Sequence, residues 1–335
     1  MSAIDSVRVG VWGVGAWGEK HARVYHALAG AGGPLVFVGC HDRHPEKSQA
    51  AVARFGGRTF ATPDELLSAC DAVSIAVPTV AHRAATEQAL AAHCHVLVEK
   101  PMAASVTDAD AMIAAAERAR RTLQVGQVER FNPAVLAARP HVLRPKFIEA
   151  HRLAVFQPRS LDIDVVFDLM IHDLDLVLQA VGAPPENLSA VGVAVLSANE
   201  DIANARLEFE DGCVANLTAS RVSQERLRRI RFFQADAYLS VDLFEKSGEL
   251  LRVDARAMRS AVAAHDPAGA LQAIQRTRLE VEPGEPLTLE LDAFVRSLRG
   301  EGAGAAAAHE GREALRIAED VRAAMKRRAV QWATG

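Results

Sequence analysis

The chain is sparing in several respects, and each one narrows what it can be. Only four cysteines (Cys40, Cys70, Cys94 and Cys213) occur in 335 residues, none in C-x-x-C spacing. That spacing excludes a disulfide framework and fits a reducing cytoplasm. Neither sign of charge dominates: 38 Lys and Arg stand against 42 Asp and Glu, a formal net charge of −4. Such a balance excludes the basic footprint of a non-specific nucleic-acid binder. No apolar run reaches the roughly 18–20 residues that a membrane-spanning helix needs, so no membrane partner is expected. Met1–Arg8 lead straight into a strand-like segment, leaving no room for a secretory leader, and the expected location is cytoplasmic. With 22 glycines and 14 prolines, usage is near average, which argues against a fibrous repeat or a disordered chain. What remains is a globular composition, 50% hydrophobic and 24% charged, with length for about two domains.

The first part of the chain alternates strands and helices. Val7–Trp12 is a short apolar run, followed by a glycine cluster and a helical stretch over Ala16–Ala29. Leu35–Cys40 is again β-rich and runs into Asp42, and Pro45 suits the first turn of a helix. Thr62-Pro63-Asp64-Glu65 has the form of a capping box. Ala72–Val77, His95–Val98 and Leu123–Gly126 read as buried parallel strands, with alanine-rich helical stretches over Val80–Ala92 and after Thr107. This alternation predicts an α/β domain with a parallel sheet over residues 1–127. Beyond it, Phe131–Pro145 reads as a connector, Lys146–Phe156 as a strand and Val165–Val181 as a helix. Leu188–Leu196, Ala203–Phe209, Val214–Ala219, Ile230–Phe233 and Leu250–Val253 then follow as strands. Asp211-Gly212 is a hairpin signal, and short connections imply a mainly antiparallel sheet. Leu287–Leu298 and Gly311–Arg327 are helical. Residues 128–335 are therefore expected to form an α+β domain, whose last helix can pack back on the first domain.

Three motifs carry chemistry. Gly13-Val14-Gly15-Ala16-Trp17-Gly18 is a G-x-G-x-x-G between a strand and a helix, where glycine permits a tight turn and close approach of a pyrophosphate to the helix N-terminus. Asp42 ends the next strand, where a ribose diol acceptor belongs. Its carboxylate favours NAD over NADP by repelling a 2′-phosphate, and Arg43 beside it works in the other direction. Glu99-Lys100-Pro101 ends a later strand, so Lys100 emerges at the edge where ligands of open α/β sheets bind. There it could stabilise negative charge developing on a substrate oxygen, although a solvated lysine would look the same. In Asp168-Leu169-Met170-Ile171-His172-Asp173, Asp168 and His172 share a helix face. A carboxylate that orients an imidazole makes a general base near neutral pH; the alternative is an acidic helix start with a structural histidine.

Together these motifs resemble the Gfo/Idh/MocA family of sugar and cyclitol oxidoreductases. Val77-Pro78-Thr79 and His82 fall in the same order as in that family. The resemblance implies a Rossmann domain followed by a domain with a large open sheet, often used for homo-oligomers, here a dimer or tetramer. It implies cofactor contacts from Gly13–Gly18, Asp42, Arg43, Val77, Pro78, Thr79, His82, Glu99 and Lys100. It also implies a catalytic group of Lys100, Asp168 and His172. Val125-Gly126-Gln127-Val128-Glu129-Arg130-Phe131-Asn132-Pro133 and Arg159–His172 resemble the branch that oxidises C3 of UDP-N-acetylglucosamine to a 3-keto sugar nucleotide, on the way to amino sugars of the lipid A type. Gln127 stands where that branch carries histidine. The substrate contacts so implied are Lys100, Arg130, Asn132, Arg159, Asp164 and His172. Arginine suits a diphosphate through its planar donors, but Arg130 and Arg159 could equally be structural ion-pair partners. An inositol or aldose dehydrogenase of the same family is the alternative substrate reading, and a non-catalytic dinucleotide-binding regulator is the alternative of another class.

No metal site is expected. His93-Cys94-His95 would point to alternate faces of a strand and cannot easily converge on one ion. The basic run Arg226–Arg231 is interrupted by Leu227 and Ile230, and reads as a strand edge or a salt-bridged surface between subunits.

Overall fold

The computed structural model describes residues 6–32, 35–157, 163–302 and 304–334, with side chains described to residue 329. The chain divides into two compact units, one of Met1–Phe131 with Gly284–Arg316 and one of Asn132–Pro283 with Ile317–Gly335.

The first unit opens with β1 (Val7–Trp12), α1 (Ala16–Gly30), β2 (Leu35–His41), α2 (Pro45–Phe55), β3 (Arg58–Thr59) and α3 (Pro63–Ala69). It continues with β4 (Ala72–Ile75), α4 (His82–Ala91), β5 (His95–Glu99), α5 (Val106–Ala119) and β6 (Leu123–Gly126). The six strands are parallel in the order β6-β5-β4-β1-β2-β3. The chain builds outward from β1 to one side and then, from β4, to the other. The order therefore reverses between β1 and β4, and a crevice for ligands opens at the carboxyl ends of strands at such a reversal. The expected cap of α3 is present: Glu65 N–H donates to Thr62 Oγ1 (3.2 Å), and the Glu65 carboxylate reaches back to Ala61 N–H (2.8 Å).

The second unit carries α6 (Pro133–Ala138), β7 (Phe147–Leu153), α7 (Ile171–Val181), β8 (Asn187–Val193), β9 (Ile202–Glu208) and β10 (Val214–Ser220). It goes on through β11 (Leu227–Phe233), β12 (Ala237–Asp242), β13 (Ser247–Val253), α8 (Ala255–Ala263), α9 (Pro267–Gln272) and β14 (Ile274–Arg278). The eight strands form a sheet ordered β14-β13-β12-β11-β7-β10-β9-β8. All neighbours are antiparallel except β7 and β10. Asp211-Gly212 makes the β9–β10 hairpin, with Gly212 at φ +80°. Side chains alternate across the sheet with period two. Ile148, Ala150, Leu217, Ile230 and Leu239 are buried on one face, and α7 packs on β7 and β10. The other face is polar, with ion pairs Arg231–Glu149 (2.6 Å) and Arg229–Asp242 (2.8 Å).

Three features differ from the sequence expectations. The stretch read as a connector contains α6, because Asn132 Oδ1 accepts from Ala134 N–H (3.1 Å) and Pro133 takes the first helical position. The strands β12 and β14 and the helices α8 and α9 are not among the expected elements. The partition also shifts: α10 (Pro286–Leu298) and β15 (Ala306–Ala307) belong to the first unit. Leu287, Leu291, Phe294 and Val295 of α10 enter the same core as Val9, Val11, Tyr25 and Leu97, and β15 pairs antiparallel with β6. The last helix, α11 (Ala308–Thr334), clusters with the first unit to Arg316 and with the second from Ile317.

The second unit depends on a buried ion pair. Arg152 of β7 donates two hydrogen bonds to Asp173 of α7 (2.8 and 2.7 Å), with both side chains under 5% exposed. Removing one partner strands the other charge in the interior, at a cost of about 3–5 kcal/mol. Asp173→Ala should therefore lower unfolding stability by that amount in urea titration, whereas Arg276→Ala, whose pair with Glu249 is exposed, should change it by less than about 1 kcal/mol.

Candidate active site

In the first unit the glycine loop is fixed by its own backbone. Gly13 lies at φ +90°, and a Cβ there would meet the Ala76 and Val77 backbone at 2.8 Å. A Cβ on Gly18 would stand 1.8 Å from the Gly13 oxygen, so only glycine lets α1 pack this close to β1. Gly15 differs, since no atom lies within 4 Å of its ideal Cβ. It is the N-cap of α1 and offers no side-chain cap. The first N–H groups of the helix therefore receive no side-chain cap from this residue, and uncapped helix N-termini are where phosphates bind. Asp42 braces the loop: Val14 N–H donates to Oδ2 (2.6 Å) and His44 N–H to Oδ1 (2.9 Å). Arg43 is exposed and donates to His44 Nε2 at 3.2 Å. Ala16 and Trp17 are exposed, and the Lys20 ammonium lies 4.3 Å from the Trp17 ring centre.

One histidine sits between the segments that follow β4 and β5. His82 is buried, with Nε2 2.9 Å from Val77 O and Nδ1 3.0 Å from Pro101 O. Burial holds its pKa below the ordinary histidine value despite both carbonyls, so near pH 7 the ring is neutral and has one N–H to donate. Pro78 and Thr79 begin the short turn that leads into α4. Lys100 follows β5 and is half-buried, and its peptide bond to Pro101 is cis. Glu99 turns inward: Oε1 is 2.9 Å from His21 Nε2, and Lys100 N–H donates to Oε2 at 3.3 Å. Gln127, one residue past β6, is buried.

The expected substrate contacts fall into different places. Arg130 is 6% exposed and donates to Glu310 (2.7 Å) within the first unit. Burial works to raise the Glu310 pKa, but Arg130 holds it below the ordinary value. Asn132 is buried in the second unit, capping α6 and donating to Leu243 O (2.9 Å). Asp164 Oδ1 accepts from Val166 and Phe167 N–H (3.0 and 3.1 Å) and caps the next helix; burial pushes its carboxyl above the ordinary value. Arg159 lies outside the described residues. The helix that begins at Val165 departs from expectation in its first turn, since Val166–Met170 form a π-helical turn before α7. Such turns recur at functional sites because they re-aim side chains. Asp168 lies in the wide turn, half-buried, and His172 in the first turn of α7, buried.

Sequence reasoning missed a cavity of about 220 Å³ in the second unit, whose walls include Asp168, Arg221, Arg226, Arg228 and Phe244. Arg221 is buried and donates to Asp201 (2.8 Å), Ile163 O (2.8 Å) and Ser197 Oγ (3.0 Å). Burial opposes ionisation of Asp201, but hydrogen bonds from Leu196 N–H, Arg221 and Ser197 hold its carboxyl well below the usual range. The spacing of Arg226 and Arg228 was the available signal for this wall. Among the described residues, no group of three His, Cys, Asp or Glu side chains could hold a metal ion, and no helix is long and apolar enough to cross a membrane.

Comparison with known proteins assigns the family. Residues 7–127 match the oxidoreductase family model with an NAD-binding Rossmann fold, and residues 114–239 match the GFO/IDH/MocA C-terminal domain. The chain belongs to the Gfo/Idh/MocA oxidoreductase family. It is 43% identical over 242 residues to UDP-N-acetylglucosamine 3-dehydrogenase of Acidithiobacillus ferrooxidans, covering 72% of this chain and 75% of that one. A solved structure of the same Acidithiobacillus enzyme superposes with a TM-score of 0.85 at 35% identity, over 95% of this chain and 97% of that one. An inositol 2-dehydrogenase of Acidothermus cellulolyticus is 32% identical over 194 residues, 53% of this chain and 54% of that one. The strand order of the first unit and the open sheet of the second are thus those of a Gfo/Idh/MocA oxidoreductase.

The glycine geometry gives a paired test. Gly15→Ala should keep the wild-type melting temperature, because its methyl group meets no protein atom, and should raise the KM for NAD at least tenfold if a phosphate binds at this helix N-terminus. Gly18→Ala should lower the melting temperature with or without cofactor. Thermal melts and initial rates of the two variants separate these effects.

Proposed function

We propose that this chain is a dehydrogenase that oxidises the C3 hydroxyl of UDP-N-acetylglucosamine with NAD, yielding a 3-keto sugar nucleotide for amino-sugar synthesis. The observation that carries the reading is the 43% identity over 242 residues to an enzyme named for that reaction. The retained Lys100, Asp168 and His172 support it, since a pure dinucleotide sensor needs no acid–base pair.

The first unit fits the cofactor. The open N-terminus of α1 at Gly15 would take the pyrophosphate, and Asp42, whose oxygens already face Val14 and His44 N–H, would take the adenosine ribose. A carboxylate at that point favours NAD over NADP. When bound, NAD supplies the two-electron acceptor for the C3–H bond. An imidazole nitrogen of His172 takes the proton of the C3 hydroxyl, and Asp168 orients the ring and favours its protonated form. The Lys100 ammonium donates a hydrogen bond to the same oxygen and stabilises negative charge as it develops. Glu99 is a positioning residue, its carboxylate accepting from Lys100 N–H at the point where the strand ends. His82 positions the same turn through Pro101 O. A cytoplasmic location and a homo-oligomer belong to the same reading. The four free, buried cysteines fit a reducing compartment.

The test is reduction of NAD, followed at 340 nm, with UDP-N-acetylglucosamine, myo-inositol and glucose as substrates. The sugar nucleotide should be turned over, and Lys100→Ala and His172→Ala should each lower kcat by about 10²–10⁴. Turnover of inositol without turnover of UDP-N-acetylglucosamine would overturn the substrate assignment. Near wild-type kcat in both variants would overturn the catalytic one.

A further inference from the structure

The face of α1 that packs on the parallel sheet is not wholly apolar. Ala22, Val24 and Tyr25 enter the core with Val9, Val11 and Leu97, and His21 is buried on the same helix with 0% exposure. Its Nε2 lies 2.9 Å from Oε1 of Glu99, the last residue of β5, whereas Nδ1 has no hydrogen-bond partner among the described residues. Nε2 is therefore the nitrogen placed to donate. Room for the carboxylate comes from β6, where Gly126 is the partner of Glu99 and a Cβ would stand 3.0 Å from Oε1. The other oxygen, Oε2, turns back and accepts from Lys100 N–H at 3.3 Å. The Tyr25 ring meets the imidazole edge-on, with centroids 6.4 Å apart, and its hydroxyl is held by Ser74 Oγ of β4 at 2.7 Å. Burying a carboxylate is costly unless donors meet it, so Glu99 keeps this inward position only while His21 and Lys100 N–H face it.

We propose that His21 is a positioning residue for Lys100, acting through the Glu99 carboxylate, an inference that rests on the reading of Lys100 as a catalytic group. The link is short and lies within the first unit: imidazole to carboxylate, carboxylate to the Lys100 amide. A hydrogen bond from a rigid, fully buried ring fixes the carboxylate at one point, and the carboxylate fixes the chain where β5 ends and Lys100 leaves the sheet. His21 also belongs to the helix whose N-cap is Gly15, the end assigned above to the cofactor pyrophosphate. One helix thus sets both the cofactor and the strand end that carries the lysine. Catalysis is sensitive to such placement, since a shift of about 1 Å costs on the order of 10²-fold in rate. An apolar side chain at this position would fill the core equally well, so the imidazole is explained by what it holds rather than by packing.

The test compares His21→Leu, His21→Gln and His21→Asn by steady-state kinetics with NAD and UDP-N-acetylglucosamine, with His26→Leu on the exposed side of α1 as control. His21→Leu removes the donor and should lower kcat by about 10–100-fold while both KM values stay within about threefold. The Gln amide places an N–H near the position of Nε2 and should restore kcat to within about fivefold of wild type, whereas the shorter Asn should stay as slow as Leu. A purely packing role predicts the opposite order, with Leu the most active. Combining His21→Leu with Glu99→Gln should give a kcat no lower than that of the slower single variant, because both break one link. A readout without turnover is trace acetylation of Lys100 in the absence of substrate, followed by peptide mass spectrometry. It should be at least about threefold faster in His21→Leu and His21→Asn than in wild type or His21→Gln. Wild-type kcat and acetylation in His21→Leu would overturn the proposal, and so would losses that multiply in the double variant. If His21→Leu does not fold, His21→Asn is compared with His21→Gln, and equal kcat and acetylation in the two would overturn it. Near wild-type kcat in Lys100→Ala overturns the reading of Lys100 and this proposal with it, whereas a slow Lys100→Ala beside a fully active His21→Leu overturns this proposal alone. Should wild-type enzyme prove inactive on UDP-N-acetylglucosamine, the substrate reading fails by itself and acetylation decides: faster labelling in His21→Leu supports the link, and unchanged labelling overturns it.

Discussion

A Cβ on Gly18 would lie 1.8 Å from the Gly13 carbonyl oxygen, and the rest of the first unit is arranged around that contact. It brings the first turn of α1 down onto the end of β1. Beside it, Gly15 begins α1 without a side-chain cap, and Val14 N–H donates to Asp42. The strand order reverses between β1 and β4 at this point, so the crevice and the helix N-terminus coincide. The proposed phosphate site is backbone geometry held in place before a ligand arrives, which limits the ordering cost of binding.

Buried polar groups hold the reactive segments in the same manner. Glu99 meets His21 in the interior and Lys100 N–H at the strand end, while the buried His82 ring lies between the Val77 and Pro101 carbonyls. In the second unit Asp164 caps the π-helical turn that carries Asp168. Arg152 secures Asp173 beside His172, and Arg221 ties Ile163 to Asp201. Each of these groups would be costly to bury alone, and each set of contacts has one end near Lys100 or the Asp168–His172 segment in the chain, at Glu99, Pro101, Ile163, Asp164 or Asp173. Fold stability and placement of the chemistry therefore draw on the same contacts.

Much of this was legible in the sequence because local chemistry set it. The G-x-G-x-x-G loop, the Thr62–Glu65 cap and the Asp211-Gly212 hairpin each follow from a few adjacent residues. The strands β7 to β11 and β13 follow from apolar alternation. Other features depend on partners far along the chain. Nothing near Arg130 announces Glu310, and nothing near Cys70 announces Cys94, whose sulfur lies 3.9 Å away. The place of α10 in the first core is set by Leu291 and Phe294 meeting Tyr25 and Val11, a pairing that periodicity cannot reveal. The π-helical turn was hidden for a different reason, since its residues have an ordinary helical pattern. The Arg226–Arg231 run was visible as a salt-bridged surface, and Arg229 and Arg231 are ion-paired to Asp242 and Glu149, partners that no nearby residue announces.

The central claim is that a C3–H bond of the sugar is broken with transfer to NAD. UDP-N-acetylglucosamine deuterated at C3, incubated with enzyme and NAD, tests it most directly. Mass and NMR analysis of the reduced cofactor should find the deuterium on the nicotinamide ring, and the initial rate should not exceed that with unlabelled substrate. Reduced cofactor free of deuterium, with the label still at C3 of the sugar, would contradict the account.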